Sequence, residues 1–155
     1  MEENFDLQQK YMRSALAQAK IAYKKAEVPI GCVIVLNGKI IARTHNRREE
    51  LNQAYAHAEI LAIKKACTIL KSWRLNNCDI YVTVEPCPMC AGAIVNARMR
   101  NIYFGAINLK GGSCGTVYNI PSDNVLNHTC NIFGGLLKEE CGKLITAYFK
   151  DKRIE

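Results

Sequence analysis

The sequence lacks the features that would place the protein in a membrane or outside the cell. No apolar run approaches the ~20 residues that a membrane-spanning helix needs. The amino terminus, MEENFDLQQK, is polar and partly acidic, unlike a secretory signal peptide. There is also no internal repeat, linker or low-complexity tract. These absences predict a cytoplasmic protein, and a chain of 155 residues with 49% hydrophobic content predicts one globular domain over residues 1–155.

The absence of a secretory signal also argues against a disulfide framework, although the chain has eight cysteines. The cytosol keeps thiols reduced, and a free cysteine in apolar surroundings behaves as a small hydrophobic residue. We therefore expect six of the cysteines to be ordinary reduced thiols: Cys32, Cys67, Cys78, Cys114, Cys130 and Cys141.

The charge is strongly unbalanced, with 21 lysines and arginines against 14 acidic residues and a net charge of +7. A positive surface suits a polyanion such as nucleic acid, although an ordinary solvated surface can carry the same charge. No tail or block concentrates the excess. The short clusters Arg47-Arg48, Lys64-Lys65 and Lys150 to Arg153 are scattered along the sequence.

Hydrophobic periodicity predicts an α/β fold. Apolar residues at helical spacing alternate with short β-branched runs, a pattern typical of a central sheet covered on both faces. The glycine-rich stretch over 105–128 is predicted to be mostly loop, and a long loop in a compact domain is usually functional. The predicted helices cover about 4–25, 56–70, 88–97 and a segment starting near 136, and the predicted strands cover 30–36, 39–44, 80–84, 101–104 and 129–132.

Two short motifs contain the residues of a catalytic zinc site. His57 lies at a predicted helix start, and Cys87 and Cys90 lie at the start of another, where they share one face. A catalytic zinc has three protein ligands and one open position for water. The helix amino terminus also favours the thiolate form that binds metal. Glu59 would then lie near the metal without binding it, where it could transfer protons.

Each motif alone has an ordinary explanation. His-x-Glu is common, and Cys-x-x-Cys also occurs in redox motifs or by chance. A structural zinc site would need a fourth cysteine or histidine, and the nearest candidate, Cys78, precedes a strand and would close the water position. The combination of His-x-Glu with Pro-Cys-x-x-Cys is far more specific, because it is the known signature of zinc-dependent nucleobase deaminases.

The sequence resembles the cytidine-deaminase-like superfamily and, within it, the bacterial tRNA-specific adenosine deaminases. The similarity runs from about Leu7 to Lys152, so it covers nearly the whole chain. The zinc motif marks the superfamily, whereas the flanking segments point to the enzymes that act on transfer RNA. The segments that carry it are VPIGCVIV (28–35), HNR (45–47), AHAEI (56–60), IYVTVEPCPMCAGAI (80–94), IYFGA (102–106) and Asn127-His128.

The resemblance implies a fold and an activity. The expected fold is a three-layer αβα sandwich with a mixed five-stranded sheet, assembled as a homodimer with one zinc ion per subunit. His57, Cys87 and Cys90 are expected to hold the zinc. The expected substrate is adenosine at the wobble position of a transfer RNA, with the arginine acceptor as the one we expect. A zinc-bound hydroxide would attack adenine C6 while Glu59 moves protons and ammonia leaves.

The resemblance also implies residues that touch the nucleic acid. Asn46 and the backbone near Val28-Pro29 and Glu85-Pro86 are expected to contact the target nucleoside, although the pattern around Asn46 by itself indicates a turn residue after a strand. The target base would be turned out of the anticodon loop, whose bases are already partly unstacked. Candidates for RNA contacts are Arg47, Arg98, Asn108, Lys110, Lys150, Lys152 and Arg153.

One segment departs from the family pattern. Relatives often read Ala-Arg-Asp-Pro-Lys after the fourth strand, whereas this chain reads Ala106-Ile107-Asn108-Leu109-Lys110. Asn108 thus replaces a carboxylate near bound nucleic acid. Our hypothesis is that the loss of this charge relaxes the selectivity for RNA and admits single-stranded DNA.

Two alternative functions remain open at this point. A deaminase of free bases or nucleosides would share the zinc motif, but it would have little use for a net charge of +7. A non-catalytic, zinc-stabilised RNA-binding subunit is the second alternative. Such a subunit would be expected to lose the acidic residue of His-x-Glu, and Glu59 is intact.

Overall fold

The computed structural model describes the backbone of residues 2–154 and the side chains of residues 4–152. Within that part of the chain, helices and strands alternate as the periodicity predicts. The helices are α1 (Glu2–Lys24), α2 (Arg48–Leu51), α3 (Ala58–Leu70), α4 (Pro88–Asn96) and α5 (Lys138–Ile154). The strands are β1 (Gly31–Leu36), β2 (Lys39–His45), β3 (Cys78–Val84), β4 (Asn101–Ala106) and β5 (Asn131–Gly134).

The strands form one mixed sheet in the order β2-β1-β3-β4-β5. Strand β1 is antiparallel to both β2 and β3, whereas β3, β4 and β5 are parallel. Asn37 and Gly38 both have positive φ angles and close the β1–β2 hairpin, as the Asn-Gly pair predicts. The carboxyl end of β3 leads directly into the Cys87 segment, so the sheet positions one half of the candidate metal site.

Helices cover both faces of the sheet and create two hydrophobic cores. On one face, α3 and α4 bury residues such as Ala62, Ile80 and Ile94. On the other face, α1 and α5 bury Met12 and Cys141 among others. The three-layer αβα sandwich with a mixed five-stranded sheet is therefore confirmed.

The sequence placed the boundaries of the predicted elements within two residues of those observed, and the small differences are instructive. Strands β3 and β4 are longer than predicted, and β5 begins at Asn131 instead of residue 129. The short helix α2 was not predicted, because four residues carry no helical periodicity. Helix α5 begins at Lys138, two residues later than predicted, after two positive φ angles at Gly135 and Leu137.

The structure describes the state of the cysteines and the length of the apolar helices. All eight cysteines are free thiols. Of the six that we expected to be ordinary reduced thiols, Cys67 is half-buried and the others are buried. Among the described residues, no helix is both long enough and apolar enough to cross a membrane.

Candidate metal centre

The amino-terminal ends of α3 and α4 meet and bring the three predicted ligands together. His57 and Cys87 are the residues that immediately precede α3 and α4, and both have extended backbone conformations. Neither side chain caps its own helix, so both are free to face the site. Cys90 follows in the first turn of α4, on the same face as Cys87. The predicted convergence of two helix starts is therefore observed.

The spacing of the ligand atoms fits a zinc ion. His57 Nδ1 lies 3.6 Å from Cys87 Sγ and 3.4 Å from Cys90 Sγ, and all three ligand atoms lie within 4.8 Å of one another. A tetrahedral zinc with ordinary bond lengths places its nitrogen and sulfur ligands about 3.6 Å apart. Mixed nitrogen and sulfur ligands favour zinc over the metals that prefer oxygen. Three ligands leave a fourth position open.

The electrostatics of the three ligands favour a cation between them. The Cys90 thiol donates to the Cys87 sulfur, and with help from His57 this lowers the pKa of Cys87 to about 4. The same contact raises the pKa of Cys90, because its proton is held between the two sulfurs. The Cys87 thiolate in turn raises the pKa of His57. These shifts favour the thiolate form of Cys87, which is the form that binds a metal ion.

Glu59 is buried beside this cluster with an oxygen that has no structural task. Its side chain lies in the first turn of α3 and is only 3% exposed. Within the described part of the chain, Oε1 has no hydrogen-bond partner. Burial raises the pKa of this carboxyl. Because an unpartnered buried carboxylate oxygen is costly, its persistence here indicates a functional task.

Asn46 connects the segments before β1 and after β2. Its Nδ2 donates to the Val28 carbonyl at 3.3 Å, and its Oδ1 accepts from the Arg48 N–H at 3.1 Å. The side chain also borders a pocket of about 150 Å³ together with Val28, Phe149 and Lys152. The turn role is therefore present, and the nucleoside contact predicted for Asn46 and Val28-Pro29 stays a prediction.

Glu85 has a role that sequence reasoning missed. Its carboxylate is 2% exposed and accepts hydrogen bonds from the backbone N–H groups of Asn108, Cys114 and Thr116, at 3.2, 2.9 and 3.1 Å. A Cβ on Gly112 would lie 2.4 Å from Glu85 Oε1, so the loop packs directly on the carboxylate. The Pro86 carbonyl accepts from the Ser113 N–H at 2.9 Å. Glu85-Pro86 therefore fixes the glycine-rich loop beside the metal ligands.

Glu27 is a second buried carboxylate with a missed role. It is 1% exposed, and its two oxygens accept the backbone N–H groups of Glu49 and Glu50 at 2.9 and 2.8 Å. These groups belong to the first turn of α2, where N–H donors have no partner within the helix. In the sequence, Glu85 directly follows strand β3 and Glu27 lies four positions before β1, and neither position by itself predicts these contacts.

An open cleft of about 800 Å³ lies between Val28, the loop 107–110 and α5. Three predicted RNA contacts, Asn108, Lys110 and Lys150, line it. Asn108 also has a structural task, because its Oδ1 accepts the N–H groups of Lys110 and Gly111, both at 3.2 Å. An aspartate could accept the same bonds, so the residue that departs from the family pattern keeps the turn.

The other predicted RNA contacts lie in different surroundings. Arg47 pairs with Glu50 at 3.0 Å on the surface. Arg98 lies beyond the carboxyl end of α4, away from Cys87, where its guanidinium donates to the Val95 carbonyl and lies 5.8 Å from the ring centre of Trp73. Lys152 borders the small pocket beside Asn46. The side chain of Arg153 lies outside the described residues.

Comparisons with known proteins identify the family of this chain. A family model for MafB19-like deaminases matches residues 6–140. A tRNA-specific adenosine deaminase of Bacillus subtilis is 49% identical over 143 residues, which cover 92% of this chain and 89% of the relative. A structure from a study of A-to-I editing by tRNA:A34 deaminases at the wobble position superposes with a TM-score of 0.84 and 44% identity, covering 87% of this chain and 98% of that one.

A guanine deaminase of Bacillus subtilis is also similar, but more distantly. Its structure has a TM-score of 0.62 and 36% identity, and the match covers 69% of each chain. The fold is thus compatible with more than one substrate class. Identity and coverage are both higher for the relatives named for transfer RNA.

Proposed function

This chain belongs to the MafB19-like deaminases and to the tRNA-specific adenosine deaminases, and from that membership we propose that it converts the wobble adenosine of a transfer RNA to inosine. The reaction adds water across the bond between N1 and C6 of adenine and releases ammonia. The observation that carries the proposal is the buried, unpartnered Glu59 oxygen beside the His57, Cys87 and Cys90 cluster. The arginine acceptor is the transfer RNA that we propose as substrate.

In this proposal, His57, Cys87 and Cys90 hold one zinc ion per subunit. The ligand spacing and the thiolate character of Cys87 support that role. Zinc, when bound, supplies a Lewis acid that lowers the pKa of water toward ~7. The protein supplies the three ligands from the ends of two helices, already within 4.8 Å of one another.

Glu59 is proposed to move the protons. One carboxylate oxygen accepts a proton from the attacking water and delivers it to adenine N1, and the second proton passes to the leaving amine. Its burial excludes competing water, and its free Oε1 leaves it available for this transfer. The balance is one water consumed and one ammonia released for each adenosine.

Asn46, with the backbone at Val28-Pro29 and Glu85-Pro86, is proposed to orient the nucleoside. The support is positional, because the side chain of Asn46 and the Val28 segment border the same small pocket. Glu85 contributes indirectly, since it holds the loop that carries Asn108 and Lys110. We propose that Lys110, Lys150, Lys152 and Arg47 contact flanking phosphates, with Arg98 and Arg153 as more peripheral candidates.

The assembly and setting of the enzyme are part of the proposal. Residues 1–155 act as one deaminase domain, because a single sheet with a core on each face organises the described residues. We propose a homodimer in the cytoplasm, where transfer RNA is processed. The free thiols are consistent with a reducing compartment.

A deaminase of free purine bases is the second candidate, favoured by the similarity to the guanine deaminase. The two candidates differ in what turnover requires. An enzyme that binds transfer RNA through phosphate contacts loses affinity as the salt concentration rises, whereas an enzyme that acts on free bases does not.

The test is nucleoside analysis of an arginine transfer RNA transcript with a wobble adenosine, incubated with the zinc-loaded protein. Free adenosine, cytosine and guanine run in parallel. We expect inosine in the transfer RNA only, and none with Glu59→Ala. Ammonia released from a free base, with no inosine in the transcript, would replace this proposal by the second candidate.

Repeating the assay with Asn108→Asp on RNA and on single-stranded DNA tests the selectivity hypothesis. The hypothesis requires the ratio of RNA deamination to DNA deamination to change.

A further inference from the structure

The fold gathers positive charge that the sequence scatters. A cleft of about 830 Å³ is lined by five cationic residues and by no aspartate or glutamate: Lys25, Arg43, Arg47, Lys64 and Lys65. We call this the basic cleft. Its residues come from the end of α1, from the outer strand β2, from the turn before α2 and from α3. A volume of this size matches known ligand sites, but the exposed lysines show that it is open to solvent.

Four of these cations are not neutralised within the protein. Arg47 pairs with Glu50, but Lys25, Arg43, Lys64 and Lys65 form no ion pair with any side chain of residues 4–152. These four positive charges are more than half of the net charge of +7. Burial lowers the pKa of His45, inside the cleft, and Lys25 and Arg47 lower it further, whereas Glu50 and Glu27 act in the opposite direction.

The basic cleft begins at the same end of the molecule as the metal centre. Strand β2 is tied to the first turn of α3 by Thr44 Oγ1, which donates to the Ala58 carbonyl at 2.7 Å. Lys64 is seven residues beyond His57, so it lies about 10 Å further along the helix axis. Lys110 and Lys150, by contrast, line the other cleft, beside α5. An extended RNA can therefore reach the basic cleft while one of its nucleotides occupies the centre.

We propose that the basic cleft binds the sugar-phosphate backbone of the transfer RNA at nucleotides outside the one that is deaminated. This inference rests on the proposed function for the identity of the RNA. Its chemistry is that of phosphodiester groups, because unpaired lysines and arginines on an open surface attract a polyanion and release its counterions. The contacts position the RNA and read no base, since phosphates carry no sequence information directly.

The binding test compares two charge-matched double variants. Lys64→Gln/Lys65→Gln removes two cleft charges, and Lys138→Gln/Lys143→Gln removes two exposed charges from α5, outside the cleft. Glutamine keeps the helix, because its propensity is close to that of lysine. Fluorescence anisotropy with labelled transfer RNA between 50 and 200 mM salt gives the slope of log K against log salt.

We expect the cleft variant to bind about tenfold more weakly and to lose about 1.4–1.8 from the magnitude of that slope, or about 0.7–0.9 for each phosphate contact. The control variant should keep the wild-type slope. Equal slopes for the two variants would overturn the proposal, since the cleft lysines would then be ordinary solvated charges.

A kinetic comparison locates the effect outside the reacting nucleotide. The KM for full-length transfer RNA should rise about tenfold in the cleft variant with kcat unchanged. Both constants should stay the same for a short RNA, a trinucleotide with the target adenosine at its centre, because it is too short to reach the cleft. An equal loss on the short RNA would overturn the proposal. So would displacement of the labelled transfer RNA by millimolar inorganic phosphate at constant ionic strength, because the site would then bind small anions.

The binding comparison also separates this inference from the proposed function. If the wild-type protein bound transfer RNA but produced no inosine, the proposed function would fail. The salt slopes of the two variants would still show whether the basic cleft binds the RNA. If inosine formed and the slopes were equal, only the cleft proposal would fail.

Discussion

At the residue scale, two buried glutamates with opposite roles lie close to the metal ligands. Glu59 keeps an oxygen without a partner, whereas every oxygen of Glu85 accepts backbone N–H groups. Buried polar groups are normally satisfied, so the unsatisfied one is the candidate for chemistry and the satisfied one is the candidate for structure. Their substitutions should therefore fail in different ways.

Glu59→Gln should lower kcat by about 10²- to 10⁴-fold, because glutamine fills the same space but cannot transfer the protons. Zinc content and transfer RNA affinity should stay at the wild-type level. Metal analysis and anisotropy measured beside the turnover assay check both. A kcat within tenfold of wild type would remove Glu59 from the proposed mechanism.

Glu85→Ala should lower the free energy of unfolding by about 3 kcal/mol, because it leaves buried N–H groups of the loop unsatisfied. For a chain of this length, the loss corresponds to a melting temperature about 6–12 °C lower. Glu85→Gln, which keeps one acceptor oxygen, should have a melting temperature between those of the wild type and Glu85→Ala. Thermal unfolding measures the loss. A melting temperature of Glu85→Ala within about 2 °C of wild type would contradict the role of Glu85 in fixing the glycine-rich loop.

At the scale of elements, α1 lies unusually close to the sheet at one glycine. A Cβ on Gly31 would lie 1.9 Å from the Ala15 carbonyl oxygen and 2.4 Å from the Ala19 amide nitrogen. Both are backbone atoms, so a rotamer change cannot relieve the contact. The absence of a side chain at Gly31 therefore allows α1 to pack on β1, whose residues are buried on both faces.

Gly31→Ala should destabilise the fold by about 3 kcal/mol or more, since α1 would have to shift away from the sheet. Gly142→Ala in α5 is the matched control, because its Cβ would make only an ordinary contact at 4.0 Å with the Cβ of Ala106. The free energy of unfolding of the control should rise by about 0.5–1 kcal/mol, because alanine has a higher helix propensity than glycine. Chemical denaturation of both variants measures the two values. A Gly31→Ala protein as stable as the control would show that the α1 packing is loose.

At the scale of the whole molecule, the metal centre joins two helices that pack on the same face of the sheet. The ligands come from the ends of α3 and α4. Binding a zinc ion at this junction links segments thirty residues apart in sequence, since Cys87 and His57 are separated by that distance. The metal therefore has a structural consequence besides its chemistry.

Removal of zinc by a chelator should lower the melting temperature and abolish deamination. Zinc at 100 times its Kd restores about 2.7 kcal/mol, or about 5–11 °C for a chain of this length. Cys87→Ser should lose the metal and should not respond to added zinc. An apoprotein that melts at the same temperature with and without zinc would argue against binding by these three residues.

The sequence alone determined the site and most of the elements. His57, Glu59, Cys87 and Cys90 lie within a few residues of helix starts, and spacing along a helix decides which residues share a face. The strands and longer helices were predictable for the same local reason, because their apolar residues recur with the period of the element that forms.

Only the tertiary structure decided the roles of residues whose partners are distant. Glu85 accepts from Cys114, 29 residues away, and Glu27 accepts from Glu49, 22 residues away. The Lys64-Lys65 pair joins Lys25 and Arg43 in one cleft although no block of charge marks it in the sequence. Such contacts depend on the order of the strands and on the side of the sheet that each helix covers, and no local periodicity encodes either.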